Sequence, residues 1–552
     1  MTLKNTTLLL LTWVAGATMA ATRSEAEMVS VAQSILSRVG THRAAEMTPL
    51  KTLEQRDMLT VIGHEEEGIV IIANDDELPA VVGYSLEPFT TVPPAVEWYL
   101  EEADKALQSI LAKGEKRAAI PPTSEFPPNL EPLLKTIWNQ GNPYNKFCPG
   151  GNGTSTRLYP TGCVATAISQ VMKFHKYPKK GTGEHQYSFK PASGDGRILY
   201  ANFGETTYDW DNMLNDYKSN YTEEQANAVA TLMLHCGVAV DMNYTPSGSG
   251  AYGQETCRAL KTYFGYNKNT RLYTRNYYSA AAWIKMVYQE LNQYGPIYYS
   301  AVDEGSGGHA FVLDGYDETG LVHINWGWGG DLNGYYDIAL LNPSNYNYTL
   351  QQEMILCMDP DADIPYESQI VAPEISYARP ASNKSVTISG KVYNAAVEKF
   401  TGRIGCVIQN LETGSVTVLK QTDEMTLQPI VNGTYWTQSF SLPANSLSAV
   451  PDGTYRLFVG SRADEDVKWQ LVRPKEGGLT NFIVTKSGDE IKWVSSTDDI
   501  WSIDMPTAIK PLSVSNANAS ARYFDLQGRE VSNDAHGLVI MKQGNVVKKV
   551  MR

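Results

Sequence analysis

The chain has 552 residues, 42% of them apolar and 19% charged, and a formal net charge of −14. That length exceeds what one hydrophobic core serves, so three or more globular domains are expected. An acidic chain without a Lys/Arg block lacks the surface a polyanion requires, so no nucleic-acid partner is expected.

Lys4, the apolar run Leu8 to Val14 and the small residues Ala15 to Ala21 predict a secretory signal peptide over 1–21, cleaved after Ala20 or Ala21. The run is too short and polar for a membrane span, and no later stretch qualifies, so no integral membrane segment is expected after cleavage. Residues 22–120 combine helix-like MVSVAQSILSRV, strand-like MLTVIG and GIVIIAND, and helix-like VEWYLEEADKALQSILA. The charged stretch Lys113 to Arg117, followed by Pro121, Pro122, Pro127 and Pro128, reads as an exposed linker and the region of processing.

Over 121–362, TEEQANAVATLMLHC, QETCRALKTYF and SAAAWIKMVYQELNQY carry helical spacing. IYYSAV, HAFVLDGY, LVHINW and GYYDIAL then read as strands with glycine turns, predicting an α+β domain. From 365 to 505 short strands at regular spacing predict an all-β, Ig-like sandwich. A strand-rich unit closes the chain at 507–552. Of the six cysteines, Cys236 and Cys257 lie in helical apolar patterns and read as buried free thiols.

Cys163 has a different context. In TGCVATAISQVMKF the apolar Val164, Ile168, Val171 and Met172 put it at the start of a helix. Unpaired backbone N–H groups there favour a thiolate and can hold a tetrahedral oxyanion. His309 follows Gly307 and Gly308, where substrate backbone can approach, and lies within the papain-like window of roughly 130–150 residues after Cys163. Asn325 is expected to accept from the imidazole and Trp326 to shield that bond. Upstream, Gln140 offers an amide for the oxyanion. Taken singly each residue reads as structural; together and in this order they read as a catalytic set.

WNQGNPYN, TGCVATAISQVMKFHKYP, VAVDMNYTPSGSG, GGHAFVLDGYD and HINWGWGG resemble, in order, the streptopain family of papain-clan cysteine peptidases. The resemblance implies a papain-like α+β domain with Cys163 as nucleophile, His309 as base and Gln140 as oxyanion donor. It further implies that Asn325 and Trp326 support the imidazole, with Trp328 nearby, and that Ser249 lines the substrate cleft. Polypeptide substrates are implied, with an apolar side chain two positions before the cleaved bond. Residues 22–120 resemble the family's inhibitory prodomain. RYFDLQGREV to the end is similar to Bacteroidetes type IX secretion sorting domains, implying that secretion machinery as a partner and a secreted or outer-surface location.

No HExxH, zinc spacing or GxSxG occurs, and Asp359, Asp361 and Asp363 lack the glycine and final carboxylate of a calcium loop. No metal or cofactor is expected. Two other readings stay open: a surface adhesin whose peptidase-like domain only binds, and a thiol-dependent acyl transferase using the same thioester.

Overall fold

The structure is a computed structural model. It describes residues 22–39, 49–114, 119–150, 157–190, 196–303, 307–341, 351–362, 367–380, 382, 384–431, 437–444, 447–464 and 469–498, together with four strands between 522 and 551. The expected signal peptide lies outside the described residues, as does part of the expected processing region. The chain divides into two compact units, 1–499 and 500–552.

In the amino-terminal region α1 (Glu25–Val39) buries Met28, Ala32 and Leu36, spaced by four so that they share a face. They meet Ile62, Val70 and Ile72 of an antiparallel sheet made by β1 (Lys51–Gln55), β2 (Leu59–His64), β3 (Gly68–Ala73) and β4 (Val81–Ser85). Next comes α2 (Pro94–Ala112), with Pro94 in its first turn, where a missing N–H leaves no helical bond unmade.

The following region holds α3 (Cys163–His175), the hairpin β5 (Glu184–Phe189) and β6 (Arg197–Asn202), and α4 (Glu223–Ala239). Thr222 and Gln225 close a capping box at the start of α4. Then come α5 (Gly253–Tyr263), β7 (Arg271–Thr274), α6 (Ala280–Gln293), β8 (Ile297–Asp303), β9 (Gly307–Tyr316), β10 (Val322–Asn325), β11 (Gly334–Tyr336) and β12 (Gln351–Leu356). Val164, Ile168, Val171 and Met172 of α3 pack in one core with α4, α5 and Val312 of β9.

The amino-terminal strands do not form a sheet of their own. One sheet runs β1-β2-β3-β4-β11-β10-β9-β8-β12-β7, with Gly83, Tyr84 and Ser85 of β4 pairing Tyr336, Tyr335 and Gly334 of β11. The boundary expected near 120 therefore crosses no break in hydrogen bonding. The proline-rich linker is also tied down: Tyr288 Oη donates to Ile120 O, Tyr316 Oη donates to Pro127 O, and Leu130 bridges to Tyr316.

Beyond 367 the regular elements among the described residues are strands and one short 3-10 turn. One sheet centres on Val386–Asn394, the other on Phe400–Asn410 and Gly453–Ala463, and Ile388, Leu442, Ile404 and Leu457 fill the space between. This sandwich is docked on the preceding region. Arg275, whose side chain is 3% exposed, pairs with Glu476 at 2.9 Å, Lys261 pairs with Glu398, and Arg473 lies 4.2 Å from the Tyr278 ring centre. In the carboxy-terminal unit Arg522–Phe524, Glu530–Val531, Leu538–Gln543 and Val546–Met551 form a four-stranded antiparallel sheet.

Candidate active site

The chain enters α3 through Gly162 at φ 90°, a conformation that favours glycine. A Cβ there would also lie 2.7 Å from the Ser249 carbonyl oxygen, so the segment around 243–250 closes directly on the turn. Ser249 Oγ donates to Pro160 O at 2.9 Å, and Thr166 Oγ1 donates back to Gly162 O at 3.0 Å. Cys163 follows as the first residue of α3, partly buried and in no disulfide. Burial raises its thiol pKa; the backbone N–H groups of Ala310, Val164 and Cys163 itself act in the opposite sense. The thiolate expected at a helix start is thus outweighed here by loss of water. The N–H of Ala310, the residue after His309, places β9 against the sulfur.

Gln140 lies on a loop; its own carbonyl accepts from Thr161 N at 3.0 Å, two residues before the cysteine. The residue is 5% exposed, and its Nε2 is buried without a hydrogen-bond partner. Buried donors are nearly always matched, so an unused one on the loop that bonds Thr161 marks room for an acceptor.

His309 stands near the start of β9, opposite Ala301 of β8. Burial lowers its pKa to about 4, and no group among the described residues acts in the opposite sense. Its ring neighbour is Trp98 of α2, 5.7 Å between centroids and tilted 60°. Next to Trp98, Tyr99 packs on Trp326 and donates to Asp337 O at 3.1 Å. No sequence signal pointed to Trp98, because its partner lies in a distant strand.

Asn325 is not joined to the imidazole. Its Nδ2 donates to Thr136 O at 2.8 Å, while Oδ1 accepts from Gln170 Nε2 and Gly327 N, both at 3.1 Å. Gln170, on α3, also accepts from Trp138 N at 3.2 Å and so ties the helix to both loops. A glutamine two turns below Cys163, on an otherwise apolar stretch, is a signal present in the sequence and unread. Trp326 is fully buried against Phe311, Tyr336 and Tyr99 rather than against His309. Trp328 is partly buried with an unpartnered Nε1, and the flanking Gly327 and Gly329 carry the positive φ values of that turn. Gly308 pairs Val302, where a Cβ would lie 2.6 Å from Ala301 O. Among the described residues no group of side chains is arranged to hold a metal ion, and no helix is long and apolar enough to cross a membrane.

The Peptidase C10 family profile matches residues 138–336. Streptopain of Streptococcus pyogenes is 34% identical over 302 residues, which is 50% of this chain and 73% of that protein. The thiol protease/hemagglutinin PrtT of Porphyromonas gingivalis is 32% identical over 318 residues, 54% of this chain but only 36% of PrtT. Among solved structures, a prointerpain A fragment of Prevotella intermedia aligns with TM-score 0.52 and 40% identity, covering 57% of this chain and 99% of that one.

Proposed function

This chain belongs to the Peptidase C10 family of cysteine peptidases, that of streptopain, and from that premise we propose that it is an endopeptidase made as a zymogen. The observation that carries the reading is the meeting of the Cys163 sulfur with the N–H beside His309, while Trp98 covers the imidazole. In the working enzyme His309 removes the thiol proton and sulfur adds to the carbonyl carbon of a polypeptide. Gln140 Nε2 and the backbone N–H at the start of α3 receive the oxyanion. His309 then protonates the leaving amine, and water, deprotonated by His309, hydrolyses the thioester and returns the thiol.

Residues 22–114 act as the brake: α2 holds the imidazole under Trp98 and β4 completes the catalytic sheet. Asn325 supports the site indirectly, by tying α3 to the loops before it. We assign residues 1–21 to export and the carboxy-terminal unit to type IX sorting, giving a secreted or surface-held enzyme. Casein hydrolysis by protein freed of residues 22–114, under reducing conditions, tests the chemistry. Wild type digests and Cys163→Ala does not; an active Cys163→Ala protein would refute the assignment.

A further inference from the structure

A second group of polar side chains lies close to Cys163 and has no part in the steps above. Ala310 of β9, whose N–H meets the sulfur, is opposite Ser300 of β8, and Ser300 is opposite Glu353 of β12. Residues directly opposite on antiparallel strands share a face, so these three form one row leading away from the nucleophile. Tyr298, two residues before Ser300, shares that face.

Glu353 is 8% exposed, and its Oε1 accepts from Gln254 Nε2 at 2.9 Å, at the start of α5. Space for the carboxylate exists because residue 253 is glycine: a Cβ there would lie 2.3 Å from Glu353 Oε2. Burial raises the Glu353 carboxyl to about 7, opposed only by the bond from Gln254. Burial first, then the nearby Cys163 thiol, raises the Tyr298 phenol. That hydroxyl is fully buried and makes no hydrogen bond of regular geometry, although Ser300 and Thr256 stand near it. Gln254 Oε1, in a residue 4% exposed, is also without a donor.

The Glu353 carboxyl thus receives one donor, Gln254 Nε2, and no Lys or Arg among the described residues pairs with it. A carboxylate, an amide oxygen and a phenol oxygen stand together with no cation acting on the carboxylate, a costly arrangement unless something supplies one. We propose that Glu353, with Gln254 and Tyr298, forms a specificity pocket beside Cys163 that accepts a basic side chain, Lys or Arg, from the substrate. This rests on the peptidase reading above. The protonated pocket takes an apolar side chain; the ionised one selects a cation.

The test uses pairs of peptides that differ at one position, bearing arginine or norleucine, taken in turn at each of the three positions before the cleaved bond. The quantity read is the ratio of kcat/KM values for each pair between pH 6 and pH 8. Titration of Cys163 and His309 acts on both peptides and divides out. The groups facing Glu353 are Gln254 of α5, Tyr298 and Ser300 of β8, and Thr274 of β7, with Thr256 of α5 beside Tyr298. Of these Tyr298 alone titrates, and its raised phenol stays neutral throughout. At one position the ratio is expected to rise about tenfold across this range, as a carboxyl near 7 ionises. Glu353→Gln should flatten that rise, and Tyr298→Phe should lower the ratio several-fold. Cleavage of both peptides with a ratio independent of pH at every position overturns the pocket alone. Cleavage of neither overturns the peptidase reading and the pocket with it.

Discussion

Gln140 keeps a buried amide hydrogen unused while its own carbonyl is fixed to Thr161. A donor held ready at no reorganisation cost serves the transition state more than the bound substrate, so Gln140→Ala should lower kcat by about 10²–10³ with little change in KM. A loss confined to KM would assign it to substrate binding instead. Asn325 has the opposite character, with its amide consumed by three bonds inside the protein. Asn325→Ala should therefore cost about 2–4 kcal/mol of stability, read by denaturant unfolding of the Cys163→Ala precursor. The sequence singled out Cys163, His309 and Gln140 because each carries its context locally: a helix start, a glycine pair, a tryptophan loop. The bonding of Asn325 was not legible in the same way, because its partners Thr136 and Gln170 lie 189 and 155 residues away, and Gln170, though conspicuous in its helix, does not say which residue it meets.

At the scale of elements, the proposed latency rests on α2. Helical periodicity was enough to find it, as it was for α3 to α6, but periodicity says nothing of where a helix docks. The same limit hid the seam between β4 and β11, a pairing of Gly83 with Tyr336 that no neighbouring residue encodes. Trp98→Ala removes the ring over His309 and should speed self-processing of the precursor, followed by intact mass; an unchanged rate would remove α2 from the brake. Acid should act in the same direction. Covered His309 has a pKa of about 4, below its ordinary 6.5, so between those values the uncovered form binds more protons. Lowering pH through that window favours release of α2, and above it this group contributes no pH dependence. Hydrogen-exchange protection factors for α2 in the Cys163→Ala precursor should fall between pH 7 and pH 5; constant protection would contradict the linkage.

Across the whole molecule, strand spacing pointed to short strands beyond 365 but not to how their sheets dock, since one face of a sheet reads like another until a partner covers it. Arg275 and Glu476 join peptidase and sandwich through a pair buried on the arginine side. Glu476→Ala leaves that guanidinium without its carboxylate and should cost about 3–5 kcal/mol, seen as a lowered Tm of the precursor; an unchanged Tm would make the contact incidental. The central claim, that one chain carries both thiol chemistry and its own brake, is tested most directly by intact mass of the purified precursor with and without reductant, beside its Cys163→Ala variant. Wild type should lose its amino-terminal region upstream of Ala119 only under reducing conditions, and Cys163→Ala should stay whole. Trimming of both proteins alike, or no trimming by wild type together with no casein digestion even after another protease has removed residues 22–114, would contradict it.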